Sequence, residues 1–188
     1  KVNFLFLPNK QEIYKKGITK KISLRKKDKI LCAKYRMGHF QGVLAVVSRF
    51  LQNIKAKYIF LGEKDFQQTY LIKKYLEKKF NTKVIVCKTI RNKRGLPLSS
   101  RNLLLSNIDL RKSEEISKLV FIFKKAILKN YTNIKLRDFY KNKIAKLCDN
   151  IEYFEIRNSK NLSKNITKKN FKIFIAYIQN NVRLIDNV

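Results

Sequence analysis

Two short apolar runs, separated by a stretch with helical periodicity, constrain the fold of this chain more than any other feature. Tyr58–Leu61 and Val84–Cys87 each contain four consecutive apolar or aromatic residues, the pattern of a strand buried in a parallel sheet. Between them, Asp65–Phe80 carries its apolar residues at helical spacing. Strand–helix–strand units form parallel sheets with right-handed crossovers, so the sequence predicts an α/β fold with buried strands.

Helical spacing predicts a further helix at Phe40–Ile54. Ser106 and Asp109 have the spacing of a capping box at the start of a long helix, and a second helix is predicted over 134–147. β-type runs then follow at 151–156, 171–178 and 182–185. Helices followed by antiparallel strands indicate a small α+β domain from about Ser106 onward.

The net charge suggests a partner but does not establish one. The chain has 34 Lys and 10 Arg against 13 acidic residues, a formal charge of +31 at pH 7. Such an excess is typical of nucleic-acid-binding proteins, so a basic nucleic-acid-binding module stays open as an alternative function. The lysines nevertheless run from end to end, and Lys, Asn and Ile, which have AT-rich codons, are all abundant. We therefore interpret the charge mainly as solvated lysine faces.

Two classes of protein are excluded by what the sequence lacks. No apolar stretch reaches the roughly 18–20 residues of a transmembrane helix, which excludes a membrane-spanning protein. Cys32, Cys87 and Cys148 lie far apart and form no CxxC pair, so neither a disulfide framework nor a zinc site is supported.

Glycines mark the first candidate site. The chain has only five, so each is expected where the backbone requires glycine, for a positive φ or for the close approach of a ligand. Two of them flank the only histidine, in Arg36-Met37-Gly38-His39-Phe40-Gln41-Gly42, just before an apolar helix. A cation, a glycine turn and an imidazole at a helix N-terminus can bind an anion or nucleotide. A histidine that only caps the helix explains the same pattern, so both interpretations stay open.

The second candidate site is Gly62-Glu63-Lys64-Asp65-Phe66-Gln67-Gln68, where a predicted strand ends and a helix begins. Open α/β sheets bind ligands at this position. Gly62 would allow a tight turn and Lys64 could meet a phosphate, while Asp65 could accept from a ribose hydroxyl or cap the helix. Gln68, one turn further, could bond a polar substrate. A plain strand–helix turn with an aspartate cap would look similar.

The third candidate site, residues 91–102, follows the second predicted strand and reads RNKRGLPLSSRN. Ser99, Ser100 and Arg101, preceded by a loop containing Gly95, suit a mobile clamp on a triphosphate. Arginine and main-chain donors stabilise the charge that develops on a leaving pyrophosphate. A basic surface loop is the alternative interpretation.

Together and in this order, these stretches resemble the pantothenate synthetases (pantoate–β-alanine ligases). The resemblance covers essentially the whole chain. It rests on residues 7–14 (LPNKQEIY), 36–43 (RMGHFQGV), 61–68 (LGEKDFQQ), 95–102 (GLPLSSRN) and the terminal 183–187 (RLIDN). It implies a partial Rossmann-like, nucleotidyltransferase-type parallel sheet in residues 1–105, followed by a small α+β domain in residues 106–188.

The resemblance also implies an ATP-dependent ligase that condenses pantoate and β-alanine to pantothenate through a pantoyl adenylate, with Mg2+. By the family's motifs, Lys64 would meet a phosphate, Ile90 would lie where a main-chain group meets adenine, and Gln68 would hold the hydroxyls of pantoate. Arg36 and His39 match a basic segment near the active site. The implied ATP-binding residues are Gly62, Glu63, Lys64, Asp65, Ile90, Leu98, Ser99, Ser100 and Arg101. The resemblance also implies a homodimer located in the cytoplasm. It implies no metal-binding side chains, no nucleic-acid partner and no association with a membrane.

The chain departs from the family at its front. The two-histidine segment that grips ATP phosphates in the family is missing, and His39, the only histidine, belongs to another motif, so the catalytic residues stay unassigned. We therefore expect an N-terminally truncated synthetase or a degraded gene product, which by itself shows no pantoate-dependent exchange between ATP and pyrophosphate. A catalytically dead relic of the ligase is thus a third hypothesis.

Overall fold

The structure of this chain is a computed structural model that describes residues 2–14, 22–129 and 135–188. It divides into two compact units. The first comprises the described residues up to Leu61 together with Gln67–Val86, and the second comprises Gly62–Phe66 and Cys87–Val188. The short segment Gly62–Phe66 therefore belongs with the C-terminal residues, although it lies between two stretches of the first unit in the sequence.

The predicted strand–helix–strand unit is confirmed in the first unit. The helices and strands that fall mainly in this unit are α1 (Lys10–Tyr14), α2 (Cys32–Tyr35), α3 (His39–Ile54), β1 (Tyr58–Gly62), α4 (Phe66–Phe80) and β2 (Lys83–Cys87). β1 and β2 are parallel neighbours joined by α4. The helix predicted at residues 40–54 is confirmed as α3, which buries Phe40, Leu44 and Leu51.

The strands of the first unit are less buried than the sequence predicts. Tyr58 and Phe60 are exposed, Phe60 over 67% of its surface, and they alternate with half-buried residues along β1. In β2 only Val84 is buried. The prediction of buried strands was wrong because residues of a strand alternate between two faces, and the described residues cover only one face of β1. An apolar run in the sequence does not report what covers each face.

The second unit is the predicted α+β arrangement. Its helices and strands are α5 (Asn107–Lys129), α6 (Lys135–Ala145), β3 (Asn150–Asn158), β4 (Phe171–Gln179) and β5 (Val182–Asn187). The three strands are antiparallel in the order β3-β4-β5. Position 134, where the second helix was predicted to begin, lies outside the described residues. Residues 87–105 also belong to this unit, and the domain boundary after residue 105 stays a prediction.

The core of the second unit lies between α5 and the antiparallel sheet. Phe123 of α5 is fully buried, and its ring centre lies 5.2 Å from that of Tyr140 and 5.1 Å from that of Phe154. Ile173 and Ile175 of β4 belong to the same buried cluster. Burying a side chain of this size contributes about 1.5–3 kcal/mol, so this cluster fixes β4 and, through it, β5.

The predicted capping box begins α5. The Asp109 amide donates to Oγ of Ser106 at 3.1 Å, and that hydroxyl donates to Oδ2 of Asp109 at 2.7 Å. Nε2 of Gln179 donates to Oδ1 of the same carboxylate at 2.9 Å. The hydrogen bond from Ser106, followed by the one from Gln179, lowers the pKa of Asp109. The cap therefore ties the start of α5 to the end of β4.

Within residues 2–14, 22–129 and 135–188, no helix combines the length and the apolar character needed to cross a bilayer.

Candidate functional site

Gly62 ends β1 and leads into a 3₁₀ turn over Glu63–Asp65, after which α4 begins. Its φ of −71° and ψ of 132° are extended, a conformation open to any residue, so the prediction that glycine allows a tight turn here was wrong. A Cβ built on Gly62 meets no atom within 4 Å. The glycine therefore leaves open space beside the backbone, which a ligand can approach closely.

Glu63 and Phe66 tie the two ends of this turn to β4. Oε1 of Glu63 lies 2.8 Å from Nζ of Lys172. Burial raises the pKa of Glu63, but the hydrogen bond and charge of Lys172 outweigh it, and the pKa is lowered from its ordinary value. The Phe66 ring packs edge-on against Phe174 with ring centres 5.4 Å apart. The backbone of the turn is thus held from both sides by the antiparallel sheet.

Lys64 and Asp65 are the residues of the turn whose side chains remain for a ligand. Lys64 is half-buried, and its ammonium has no hydrogen-bonded partner in the described part of the chain. Asp65 is exposed. The carbonyls of Glu63 and Lys64, by contrast, both accept hydrogen bonds from the side chain of Asn187. The turn therefore presents one cation and one carboxylate on a fixed backbone.

Residues 90–98 form a tight hairpin. The amide of Asn92 donates to the carbonyl of Leu96, and the amide of Leu98 donates to the carbonyl of Ile90, both at 2.9 Å. Gly95 has a φ of 89°, which confirms the expected need for glycine there. The side chains of Ile90 and Leu98 are 68% and 55% exposed. The hairpin thus places two predicted ATP-binding residues opposite each other with their side chains outward.

The Ser-Ser-Arg sequence begins a 3₁₀ helix over Ser100–Leu104. Oγ of Ser99 caps it by accepting a hydrogen bond from the Arg101 amide at 3.3 Å. Nη1 of Arg101 donates to the carbonyl of Arg183 on β5 at 3.0 Å. Ser100 is exposed. Ser99 and Arg101 therefore also hold the segment in place, while the Ser100 side chain faces outward.

The buried ion pair between Arg91 and Asp186 lies outside the site residues predicted from the sequence. The guanidinium donates to both carboxylate oxygens, at 2.7 and 2.8 Å, and to the carbonyls of Gly95 at 2.8 Å and Asn187 at 3.0 Å. Burial raises the pKa of Asp186 although Arg91 opposes the shift. The resemblance of the terminal RLIDN to the family was the only signal for these residues, and it named no partner for Asp186.

Gln67 and Gln68 look equivalent in the sequence but have different environments in the first unit. Gln67 is 5% exposed. Its Nε2 donates to the carbonyls of Asp28 at 3.2 Å and Ile30 at 2.7 Å, and its Oε1 accepts from the Ala33 amide at 3.3 Å. Gln68 is half-buried on the same helix. Gln67 therefore holds the loop before α2, and Gln68 stays the predicted pantoate-binding residue.

Arg36 and His39 flank a glycine turn in the first unit. Arg36 follows α2, His39 is the first residue of α3, and the His39 amide donates to the carbonyl of Arg36 at 3.2 Å. Gly38 between them has a φ of 78° and occupies the N-cap position. The interpretation of the histidine as the helix cap is therefore wrong. Both side chains are half-buried.

A cationic groove of about 550 Å³ lies elsewhere in the first unit. It is lined by Lys57, Tyr58, Lys73, Glu77, Lys78, Asn81, Thr82 and Lys83, which places it at the amino ends of β1 and β2. Ligands of open α/β sheets bind at the carboxyl ends, so this groove is not the candidate site. Among the residues that the structure describes, no group of three or more His, Cys, Asp or Glu side chains could hold a metal ion.

Comparison with known proteins gives consistent similarities. The family model described as pantoate-beta-alanine ligase matches residues 1–188. A pantothenate synthetase of Francisella tularensis subsp. mediasiatica is 38% identical over 188 residues, 99% of this chain. This chain spans 64% of the length of that relative and of the F. tularensis subsp. novicida protein, which is also 38% identical.

The solved structures similar to this chain include two from this group of enzymes. A crystal structure of pantothenate synthetase from Thermus thermophilus superposes with a TM-score of 0.88 at 24% identity, over all of this chain and 69% of that one. At this identity the likeness shows the fold alone. A pantoate-beta-alanine ligase from Francisella tularensis, complexed with beta-gamma ATP and beta-alanine, gives a TM-score of 0.73 at 35% identity, over 95% of this chain and 61% of that one.

Proposed function

This chain belongs to the pantoate–β-alanine ligase family, and from that membership we propose that it supplies the ATP-binding and pantoate-binding parts of such a ligase. In the proposed reaction, the carboxylate of pantoate attacks the α-phosphorus of ATP, and pyrophosphate leaves. The amine of β-alanine then attacks the carbonyl carbon of pantoyl adenylate, forming the amide bond of pantothenate and releasing AMP. The F. tularensis relative, complexed with beta-gamma ATP and beta-alanine, supports these substrates.

The observation that carries the proposal is the arrangement around β5. The turn with Lys64 is bonded to Asn187, and the segment with Arg101 is bonded to Arg183. One strand thus anchors both segments that the family motifs assign to ATP. We propose that the Lys64 ammonium meets a phosphate as a point charge, since a fixed cation stabilises charge on the leaving pyrophosphate.

The remaining ATP contacts are assigned by their exposure. Ser100 is exposed and offers a hydroxyl to the phosphates. Ser99 and Arg101 hold the segment in shape through one hydrogen bond each, and their remaining O–H and N–H groups can still donate to the phosphates. Ile90 meets adenine through a main-chain group, and Leu98, which is hydrogen-bonded to Ile90 across the hairpin, begins the phosphate clamp. The open space beside Gly62 allows the nucleotide to approach the backbone.

The pantoate contacts are proposed in the first unit. The half-buried carboxamide of Gln68 has a donor and an acceptor for the hydroxyls of pantoate. Arg36 and His39, fixed at the start of α3 by the Gly38 turn, form the basic segment that the family motif places near the active site.

Mg2+ fits the exposed carboxylate of this site. Mg2+ in nucleotide sites takes oxygen ligands, often one or two carboxylates together with substrate phosphates, and Asp65 is exposed while Glu63 is paired with Lys172. Because the resemblance implies no metal-binding side chain, the phosphates of ATP would supply most of the ligands and Asp65 would add one carboxylate; the bound ion would neutralise charge on the phosphates. The resemblance further supports a homodimer in the cytoplasm. Sedimentation of the purified chain tests the oligomeric state, and fractionation of cells tests the location.

Gly62→Ala and Lys64→Ala test the ATP site by two separate routes. The added methyl of Gly62→Ala meets no atom within 4 Å and suits the extended φ, so we expect stability to hold or rise by about 0.4–1 kcal/mol. A nucleotide close to the backbone would clash with the same methyl, so ATP affinity should fall. Lys64→Ala should lower ATP affinity roughly tenfold, about the effect of losing a charge-assisted hydrogen bond.

Calorimetric titration of ATP with Mg2+ into the 188-residue chain measures both effects. Lys169→Ala, which truncates an exposed lysine of the second unit, is the matched control and should leave the affinity unchanged. Unchanged ATP affinity in both Gly62→Ala and Lys64→Ala would place the nucleotide elsewhere and overturn the proposal.

A further inference from the structure

The carboxamide of Asn187 is bonded to the backbone on both sides of Lys64. Asn187 is the last residue of β5 and is 3% exposed. Its Nδ2 donates to the carbonyl of Glu63 at 2.9 Å and to the carbonyl of Lys64 at 3.0 Å. A carboxamide nitrogen has two protons, so both donors of this side chain are used on consecutive carbonyls.

Holding these two carbonyls fixes the backbone position from which the Lys64 side chain projects. The Glu63 carbonyl belongs to the peptide plane before the Lys64 Cα atom, and the Lys64 carbonyl belongs to the plane after it. A peptide unit is planar, so fixing both planes fixes the φ and ψ of Lys64 and with them the Cα–Cβ bond. The turn has only three residues before α4 begins, and the two hydrogen bonds from Asn187 add to its own backbone bonding.

Asn187 is itself held rigidly. Nη2 of Arg91 donates to its carbonyl at 3.0 Å, and its amide donates to Oδ1 of Asp186 at 2.7 Å. Arg91 pairs with the same carboxylate through both Nη atoms. The carboxamide therefore projects from a strand end that a buried ion pair fixes, which makes it a rigid support for the turn.

We propose that Asn187 is a positioning residue, which sets the Lys64 ammonium at the phosphates of ATP by clamping the backbone on either side of it. This inference rests on the proposed contact between Lys64 and ATP. A purely structural role for Asn187 would lower stability and weaken the binding of every ligand alike. A positioning role weakens the binding of phosphate groups and leaves the binding of the nucleoside unchanged.

Binding of ATP and of adenosine to the 188-residue chain separates these roles. Asn187→Ala removes both donors, and Asn187→Asp keeps the shape but replaces the nitrogen by an oxygen that faces two carbonyls. Asn165→Ala is the matched control, because Asn165 is an exposed asparagine of the same unit. Titration calorimetry measures the affinity of each variant for each ligand. The temperature is one at which urea unfolding shows every variant to be folded.

We expect Asn187→Ala to weaken ATP binding roughly tenfold, as for the loss of one charge-assisted hydrogen bond, and Asn187→Asp to weaken it at least as much. Adenosine affinity should stay within about twofold. In the Lys64→Ala background, Asn187→Ala should cause no further loss, since contacting residues that act through one interaction are not additive. Asn187→Ser, which retains one hydroxyl donor, is measured if Asn187→Ala fails to fold, and it should give an intermediate loss.

Four results would overturn the inference. Equal losses for ATP and adenosine would reduce Asn187 to a structural residue, and so would a full further loss of ATP affinity in the Lys64→Ala background. Unchanged ATP affinity in the folded Asn187 variants would remove the role while leaving the ATP site intact. If the unsubstituted chain binds ATP no more tightly than adenosine, the proposed phosphate contact fails first, and the positioning role fails with it.

Discussion

Replacing Arg91 by alanine tests how far the second unit depends on one buried ion pair. The guanidinium is bidentate on Asp186, which is 4% exposed. It also donates to the carbonyls of Gly95 and Asn187 and lies 4.8 Å from the centre of the Phe121 ring. Arg91 thus joins the hairpin at residues 90–98, the end of β5 and α5, and truncating it removes all three connections at once.

The size of the loss follows from what happens to the remaining carboxylate. Removing one partner of a buried pair costs about 3–5 kcal/mol, because the other charge stays buried without compensation. Protonation of Asp186 limits this cost. For a carboxyl with an ordinary pKa near 3.9, protonation costs about 4 kcal/mol at pH 7 and about 1.5 kcal/mol at pH 5. We therefore expect a loss of about 4 kcal/mol at pH 7.

The sign of the pH dependence follows from the same pKa. Burial already raises the pKa of Asp186, with Arg91 opposing the shift, so its removal raises the folded-state pKa further. Between the unfolded and folded pKa values the folded chain binds more protons, so its stability falls as pH rises through this window. The deficit of Arg91→Ala should therefore shrink by roughly 2–3 kcal/mol as the pH is lowered from 7 to 5.

Amide hydrogen exchange in β4 and β5 measures the opening free energy of this unit at both pH values. Arg137→Ala is the control, since Arg137 forms an exposed ion pair with Asp138, and such pairs contribute about 0–1 kcal/mol. The double variant Arg91→Met/Asp186→Leu should recover most of the loss, because apolar replacement of a whole buried pair is often neutral. A loss below about 1 kcal/mol at pH 7, or an equal loss at both pH values, would refute this reasoning.

Three further substitutions test the local structure. Ser106→Ala removes the α5 cap and should cost about 1 kcal/mol, measured by hydrogen exchange of the first α5 amides; exchange there unchanged from the parent chain would contradict the cap. Gln67→Ala leaves the carbonyls of Asp28 and Ile30 without their donor and should cost about 3 kcal/mol in urea unfolding of the first unit. Gln68→Ala should cost less than about 0.5 kcal/mol, so equal losses for the two glutamines would be inconsistent with their different environments.

Much of the fold could be predicted from the sequence because its signals are local. The helical spacing of α3 and the Ser106–Asp109 capping box each lie within one element, and both are confirmed. Burial of β1 was predicted wrongly, since it depends on which residues cover each face of the strand. An apolar Phe60 is equally compatible with a covered and with an exposed position, and the structure leaves it 67% exposed.

The candidate site divides in the same way. The need for glycine at position 95 could be predicted, because the chain has only five glycines and a positive φ in a loop favours glycine; Gly95 has a φ of 89°. The bond between Asn187 and the turn could not be predicted, because its partners are 123 and 124 positions apart and no periodicity relates them. The neighbours Gln67 and Gln68 likewise differ only in which of them faces the loop at residues 28–33.

The ion pairs show how the chain uses its large excess of cations. Lysines outnumber arginines 34 to 10 in the sequence, yet arginine supplies five of the eight salt bridges among the described residues. Arg91, Arg157 and Arg183 each make a bidentate or forked contact with a carboxylate of the second unit. In each of these pairs both side chains are at least two-thirds buried. A planar guanidinium suits such contacts, whereas an ammonium is strongly hydrated. Among the residues that the structure describes, arginine therefore forms most of the ion pairs, although lysine is the commoner cation of the sequence.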